Sequence, residues 1–203
     1  FMLTNESCAQ ASEFLNQLAS QGRRCDRLPA PLAPQSREEG YNIQARLESR
    51  SAKPLYGWKI AATSVAGQRH IGVDGPLAGR YVAERVVKSG GTIPFGANHM
   101  RVAEVEFGFR LGREMPPRQQ PYSESEVLAA VSTLHPMIEI PDSRYDHFET
   151  AGAPALIADN ACAHWLVEGP AMPEEWRLID LAAFSPRGTV RGRPAIDGLG
   201  ANV

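Results

Sequence analysis

"RVAEVEFGFRLG", residues Arg101–Gly112, is the stretch whose reading decides the fold. Side chains alternate faces along a β-strand, so Val102, Glu104, Glu106, Gly108 and Arg110 point one way. Ala103, Val105, Phe107, Phe109 and Leu111 point the other, as an unbroken apolar face. The segment therefore reads as a buried strand that sets two carboxylates side by side on one surface. Solvent hydration would explain such a pair if it stood alone.

A third acid changes the weight of that explanation. Glu139 lies in "PMIEI", between Ile138 and Ile140, in a run with no other charge. Burying an unpaired carboxylate is costly, and burying it near two others costs more. Either an arginine (Arg101, Arg110 or Arg144) pairs with Glu139, or a cation collects all three acids. Three oxygen donors without His or Cys select a hard divalent ion, Mg²⁺ or Mn²⁺, with open positions for water and a chelating ligand.

Lys59 is the next anomaly. In "YGWKIAAT" it shares a strand face with Gly57 and Ala61, a path of small residues that can wall a cavity. A lysine there binds a substrate carboxylate or, when desolvated, moves protons; the alternative is an edge lysine whose stem lies along apolar surface.

Working outward, Cys8, Ala11, Leu15 and Leu18 recur at helical spacing and Gly22 marks a stop. A proline-rich linker, "RLPAPLAPQS", leads to a second helix opened by Ser36 and Glu39 in a capping-box pattern, with Ile43 and Leu47 as its stripe. "PLYGWKIAAT" reads as a strand and "SVAGQRHIG" as a short helix. "RYVAERVV" and "TIPF" read as strands about a "KSGG" turn. "SESEVLAAVSTLH" repeats the capping-box pattern from Ser123 to Glu126, with Val127, Val131 and Leu134 inward. "PMIEIPDSRY" and "HWLVEG" read as strands, "ALIADNACA" as a helical turn in which Asp159 and Asn160 fix the backbone, and residues 176–193 as a hairpin turning at Ser185–Gly188. The fold class is mixed α/β (α+β) with a mostly antiparallel or rolled sheet. Residues 1–52 read as an N-terminal helical arm and 53–203 as the β-rich domain that carries the candidate site.

The 203 residues carry a net charge of −2 and no basic stripe, which argues against nucleic acid as a partner. No apolar run reaches the ~18 residues of a membrane span. Cys8, Cys25 and Cys162 are an odd set without close pairing, which indicates reduced thiols and a cytoplasmic location.

Taken together, "GYNIQ", "GWKIAATS", "IGVDGPLAG", "RVAEVEFGFRLGR", "HPMIEIPDSRY", "IADNACA" and "GRPAIDGLGANV" resemble, in order and spacing, the fumarylacetoacetate hydrolase superfamily. The branch they resemble is that of 2-keto-4-pentenoate hydratase and 4-oxalocrotonate decarboxylase. The resemblance implies a rolled mixed β-sheet core and a catalytic Mg²⁺ or Mn²⁺ held by an E-x-E pair and a later acid. Those positions fall on Glu104, Glu106 and Glu139. It also implies a catalytic lysine at Lys59 and a substrate-side position at Cys162, where relatives commonly carry Ser. The implied reaction is water addition to a small 2-oxo acid of aromatic meta-cleavage catabolism, through a metal-chelated enolate. A decarboxylase or carbon–carbon hydrolase on the same scaffold is the alternative, with His70, His99 and His135 available to activate water.

Leu77 stands where hydratase relatives often carry an acid, and relatives continue past the position of Val203, so the domain reads as incomplete at its C-terminus. These departures raise a non-enzyme reading, an inactive scaffold or partner subunit. A homo-oligomer, or association with a related hydratase or decarboxylase, is also implied.

Overall fold

The computed structural model describes residues 2–200; Phe1 and residues 201–203, the last of the "GRPAIDGLGANV" motif, lie outside the described residues. Two compact units divide the chain. The first runs to Val87 and adds Thr92–Ala103 and Glu139–Leu166; the second comprises Lys88–Gly91, Glu104–Ile138 and Val167 onward.

In the first unit, α1 (Asn5–Ser20) starts where the Thr4 side chain accepts from the Ser7 N–H, and it buries Cys8, Ala11, Leu15 and Leu18 as its period requires. Helix α2 (Arg37–Gln44) is capped by Ser36, but only half of the capping box forms. The Glu39 carboxylate accepts instead from the N–H groups of Leu3 and Gln35, at 2.6 Å each, and so ties the start of α1 to that of α2. Leu47 falls outside α2, in the 3₁₀ turn Ala45–Arg50.

Both helices share one core with Leu28, Tyr145 and Ala158. Each fully buried leucine in it contributes about 1.5–3 kcal/mol by leaving water. Gly40 lets α2 approach α5 (Ala153–Ala158), because a Cβ there would lie 2.5 Å from the Pro154 carbonyl. Strands β1 (Leu55–Ala61) and β2 (Leu77–Val82) flank the short α3 (Val65–His70) and pair antiparallel, Lys59 opposite Gly79. Leu77 is 1% exposed against Leu156, Ile157 and Ala161.

A four-stranded sheet has the order β3-β6-β5-β4, built from β3 (Val86–Lys88), β6 (Trp165–Glu168), β5 (Val131–Ile140) and β4 (Glu104–Leu111). "TIPF" is not a strand, although its β-branched and aromatic residues favour one; the chain there has no ladder partner.

In the second unit, α4 (Glu124–Ala130) has the full capping box of Ser123 and Glu126. It ends before Val131, where the predicted helix becomes β5. Val131 and Leu134 are buried as expected, but on a strand, and Val127 faces outward.

Strand β4 corrects another expectation. Its apolar face is not fully buried: Val105, Phe109 and Leu111 are 53%, 40% and 50% exposed, and β4 is the end strand of its sheet. Phe107 packs edge-on against Phe184, and Phe109 lies against Trp176. The late hairpin also differs from its reading. Arg187–Gly188 is not its turn but its first strand, β7, paired antiparallel with β8 (Ile196–Asp197). Among the described residues no helix is long and apolar enough to cross a membrane.

Candidate active site

Lys59 projects from β1 past Gly79 on β2. A Cβ at Gly79 would lie 3.0 Å from the Lys59 Cγ and 2.5 Å from the Asn160 carbonyl, so the absent side chain is what gives the lysine its path. The ammonium reaches Glu139 at 3.0 Å and donates to the Ala161 carbonyl at 3.1 Å. Glu139 is 3% exposed. The sequence left the partner of Glu139 open between arginines and a metal; Lys59 is a cation that stands beside it. Arg144 pairs with Asp159, and Arg110 pairs with Glu168.

The carbonyl that receives Lys59 belongs to a strained turn. Asn160, Ala161 and Cys162 all have positive φ, at 59°, 49° and 62°. A non-glycine residue in that region costs on the order of 1–3 kcal/mol and persists only when its surroundings fix it. Here the Asn160 carboxamide fixes it: its oxygen accepts from the Arg80 N–H at 2.7 Å and its nitrogen donates to the Arg80 carbonyl at 2.9 Å. Asp159, 1% exposed, accepts from the Ser143 hydroxyl and the Arg144 N–H at 2.8 and 2.9 Å. Both residues therefore hold backbone, as the sequence indicated. Burial, reinforced by the nearby Asp159 charge, pushes the Cys162 thiol up to about 12. At neutral pH it is a protonated, weak S–H donor and not a nucleophile.

Glu104 and Glu106 stand on one face of β4, half-buried and exposed respectively. Strand β5, which carries Glu139, is the neighbour of β4 in the sheet. One carboxylate oxygen from each of Glu104, Glu106 and Glu139 lies within 4.8 Å of the others. Oxygens bound to a six-coordinate ion at about 2.1 Å sit roughly 3–4 Å apart, so small rotations of these side chains fit the set to a hard divalent cation.

Another buried acid escaped the sequence reading. Glu168, 2% exposed on β6, contacts Lys88 at 2.7 Å, Arg110 at 2.9 Å and His135 at 3.7 Å, and burial raises its pKa. The signal was the one used for Glu139, a lone acid in an apolar strand ("HWLVEG"). His135 bonds Thr133 and the Gly169 carbonyl, a structural setting for one of the three histidines considered for water activation.

No protein-family model matches the chain. It is 30% identical over 202 residues to 2-keto-4-pentenoate hydratase of Paraburkholderia xenovorans (strain LB400), covering 98% of this chain and 74% of the relative. It is 37% identical over 128 residues to a 4-oxalocrotonate decarboxylase of Pseudomonas sp, covering 63% and 47% of the two chains. Its fold matches that of 4-oxalocrotonate decarboxylase from Pseudomonas putida G7, solved with magnesium and adipate. The TM-score is 0.80 at 20% identity, over 100% of this chain and 76% of the other.

Proposed function

The chain belongs to the 2-keto-4-pentenoate hydratase family, and from that membership we propose that it is a metal-dependent lyase acting on a small 2-oxo acid. Hydration of 2-hydroxypenta-2,4-dienoate is the reaction to test first. In this reading the family lies within the fumarylacetoacetate hydrolase superfamily, and the three free cysteines fit a reducing cytoplasm. The observation that carries the proposal is the convergence of the Glu104, Glu106 and Glu139 carboxylates.

Glu104, Glu106 and Glu139 would hold Mg²⁺ or Mn²⁺. When bound, the ion supplies positive charge that offsets the negative charge developing on a 2-oxo acid's oxygens. Lys59 is assigned to proton transfer: its ammonium is held at Glu139 and the Ala161 carbonyl, poised beside the acids. Cys162, at the far end of the strained turn, is assigned to substrate contact. The buried Asp159–Arg144 pair and the Asn160 clamp keep that turn in place.

A decarboxylase is the second reading, favoured by the 37% identity to 4-oxalocrotonate decarboxylase. The two are separated by product: hydration of 2-hydroxypenta-2,4-dienoate against CO₂ release from 4-oxalocrotonate. The test of the shared site is Glu106→Gln. Its loss of both Mg²⁺ binding and turnover is the expected result, and turnover by metal-stripped protein would refute the proposal. Full turnover by the purified chain alone would also dispose of the inactive-scaffold reading.

A further inference from the structure

A cavity of about 110 Å³ opens in the first unit; Lys59 is not among its lining residues, whereas four arginines are: Arg50, Arg80, Arg85 and Arg144. One water needs roughly 10–15 Å³ of such space, so the cavity takes a ligand of a few heavy atoms.

Three of the four charges are balanced. Arg50 contacts Glu13 at 3.2 Å, Arg80 contacts Glu48 at 2.7 Å, and Arg144 pairs with Asp159. Arg85 is different. It contacts His164 Nε2 at 3.2 Å and lies over the Trp165 ring at 4.7 Å, with no carboxylate partner among the described residues. Neighbouring acids are committed elsewhere. Glu84 accepts from Ser51 and Ala52, and Asp142 accepts from the N–H groups of His99 and Met100.

His164 supplies no balancing charge either, being neutral at pH 7: burial first, then Arg85 and Arg144, hold it down to about 4. Arg85 is thus a partly buried cation beside a second cation, and its own pKa is lowered by burial and by Arg144.

We propose that this cavity is a binding site for a small carboxylate, with the Arg85 guanidinium as its anchor. A guanidinium fork matches the two oxygens of a carboxylate, and the pairing returns to Arg85 the counter-charge it lacks. The neutral imidazole of His164 holds the fork from its other side. None of the three glutamates lines the cavity.

The probe is sodium acetate, titrated into metal-free protein at constant ionic strength, with sodium chloride as control and with acetate NMR line broadening and thermal midpoint as readouts. Saturable acetate binding is expected, weakened at least about tenfold in Arg85→Gln, weakened less in Arg85→Lys, and unchanged in Glu106→Gln. Arg85→Lys keeps the charge and removes the fork, so it decides the matter if Arg85→Gln does not fold. Absence of saturation, an equal effect of chloride, or undiminished binding in both Arg85 variants overturns the proposal. Loss of acetate binding in Glu106→Gln overturns it too, by placing the anion at the acidic cluster, whereas failure of the metal reading leaves this result untouched.

Discussion

Replacing Lys59 by Met removes the cation from a carboxylate that cannot reach bulk water. The side chains of Lys59 and Glu139 are only 12% and 4% exposed and their charged atoms are 3.0 Å apart. Breaking a buried pair from one side costs about 3–5 kcal/mol, mostly as the penalty of the charge left behind. The 12% exposure of the Lys59 side chain leaves some access for water. The lower end, about 3 kcal/mol, is therefore expected for metal-free protein.

With a urea m-value near 2–3 kcal/mol/M, the unfolding midpoint should fall by about 1–1.5 M. Adding Mg²⁺ to a hundredfold excess over its dissociation constant should return about 2.7 kcal/mol, because the ion binds only the folded chain. The Lys59→Met/Glu139→Gln double variant should be markedly more stable than the sum of the two single losses predicts. A Lys59→Met variant within about 0.5 kcal/mol of the parent, or strict additivity in that cycle, would refute the coupling.

His164, ordinarily near 6.5 and held at about 4 here, makes stability fall with acid. Above pH 6.5 the ring is neutral folded or unfolded; from there down to about pH 4 the unfolded chain takes a proton that the folded one refuses. The loss, up to about 3 kcal/mol, should vanish from the difference curve of His164→Asn followed by urea titration at each pH. Gly79→Ala sets a methyl 2.5 Å from the Asn160 carbonyl and should cost about 2–3 kcal/mol; a loss under about 0.5 would show that the turn yields freely. Cys162→Ser exchanges a weak donor for a stronger one and should lower KM for the 2-oxo acid a few-fold, about 1 kcal/mol; an unchanged KM removes Cys162 from the substrate's reach.

What could be read from the sequence was what short range determines. Ser36 and Ser123 each cap a helix because the side-chain oxygen and the N–H it serves lie within three residues. Glu104 and Glu106 share a face because strand alternation is local. The errors fall where a distant segment decides. Val131 continues an acceptable helical stripe, yet the chain turns to strand there because Ser132 bonds the Arg110 carbonyl and Gly112 donates to Ala130. "TIPF" has strand-forming residues and nothing to pair with. Ala161 and Cys162 carry no signal for a left-handed backbone; the Asn160 clamp on Arg80, far away in the chain, and the buried Asp159–Arg144 pair hold it.

The same division hid the contact between Glu139 and Lys59 from a reading of the sequence. Each was conspicuous alone, a charge in an apolar strand, and each was given a separate explanation. Burial couples them: a carboxylate 3% exposed needs compensation, and a lysine threaded past Gly79 supplies it. If the three acids take a divalent ion, the ammonium meets that ion as a second positive charge beside Glu139, and the two compete for one carboxylate. Metal binding should then weaken the hold of Glu139 on Lys59 while the Ala161 carbonyl keeps the amine in place. The strained turn at 160–162 thus positions the Lys59 ammonium through the Ala161 carbonyl, without requiring Ala161 or Cys162 to react.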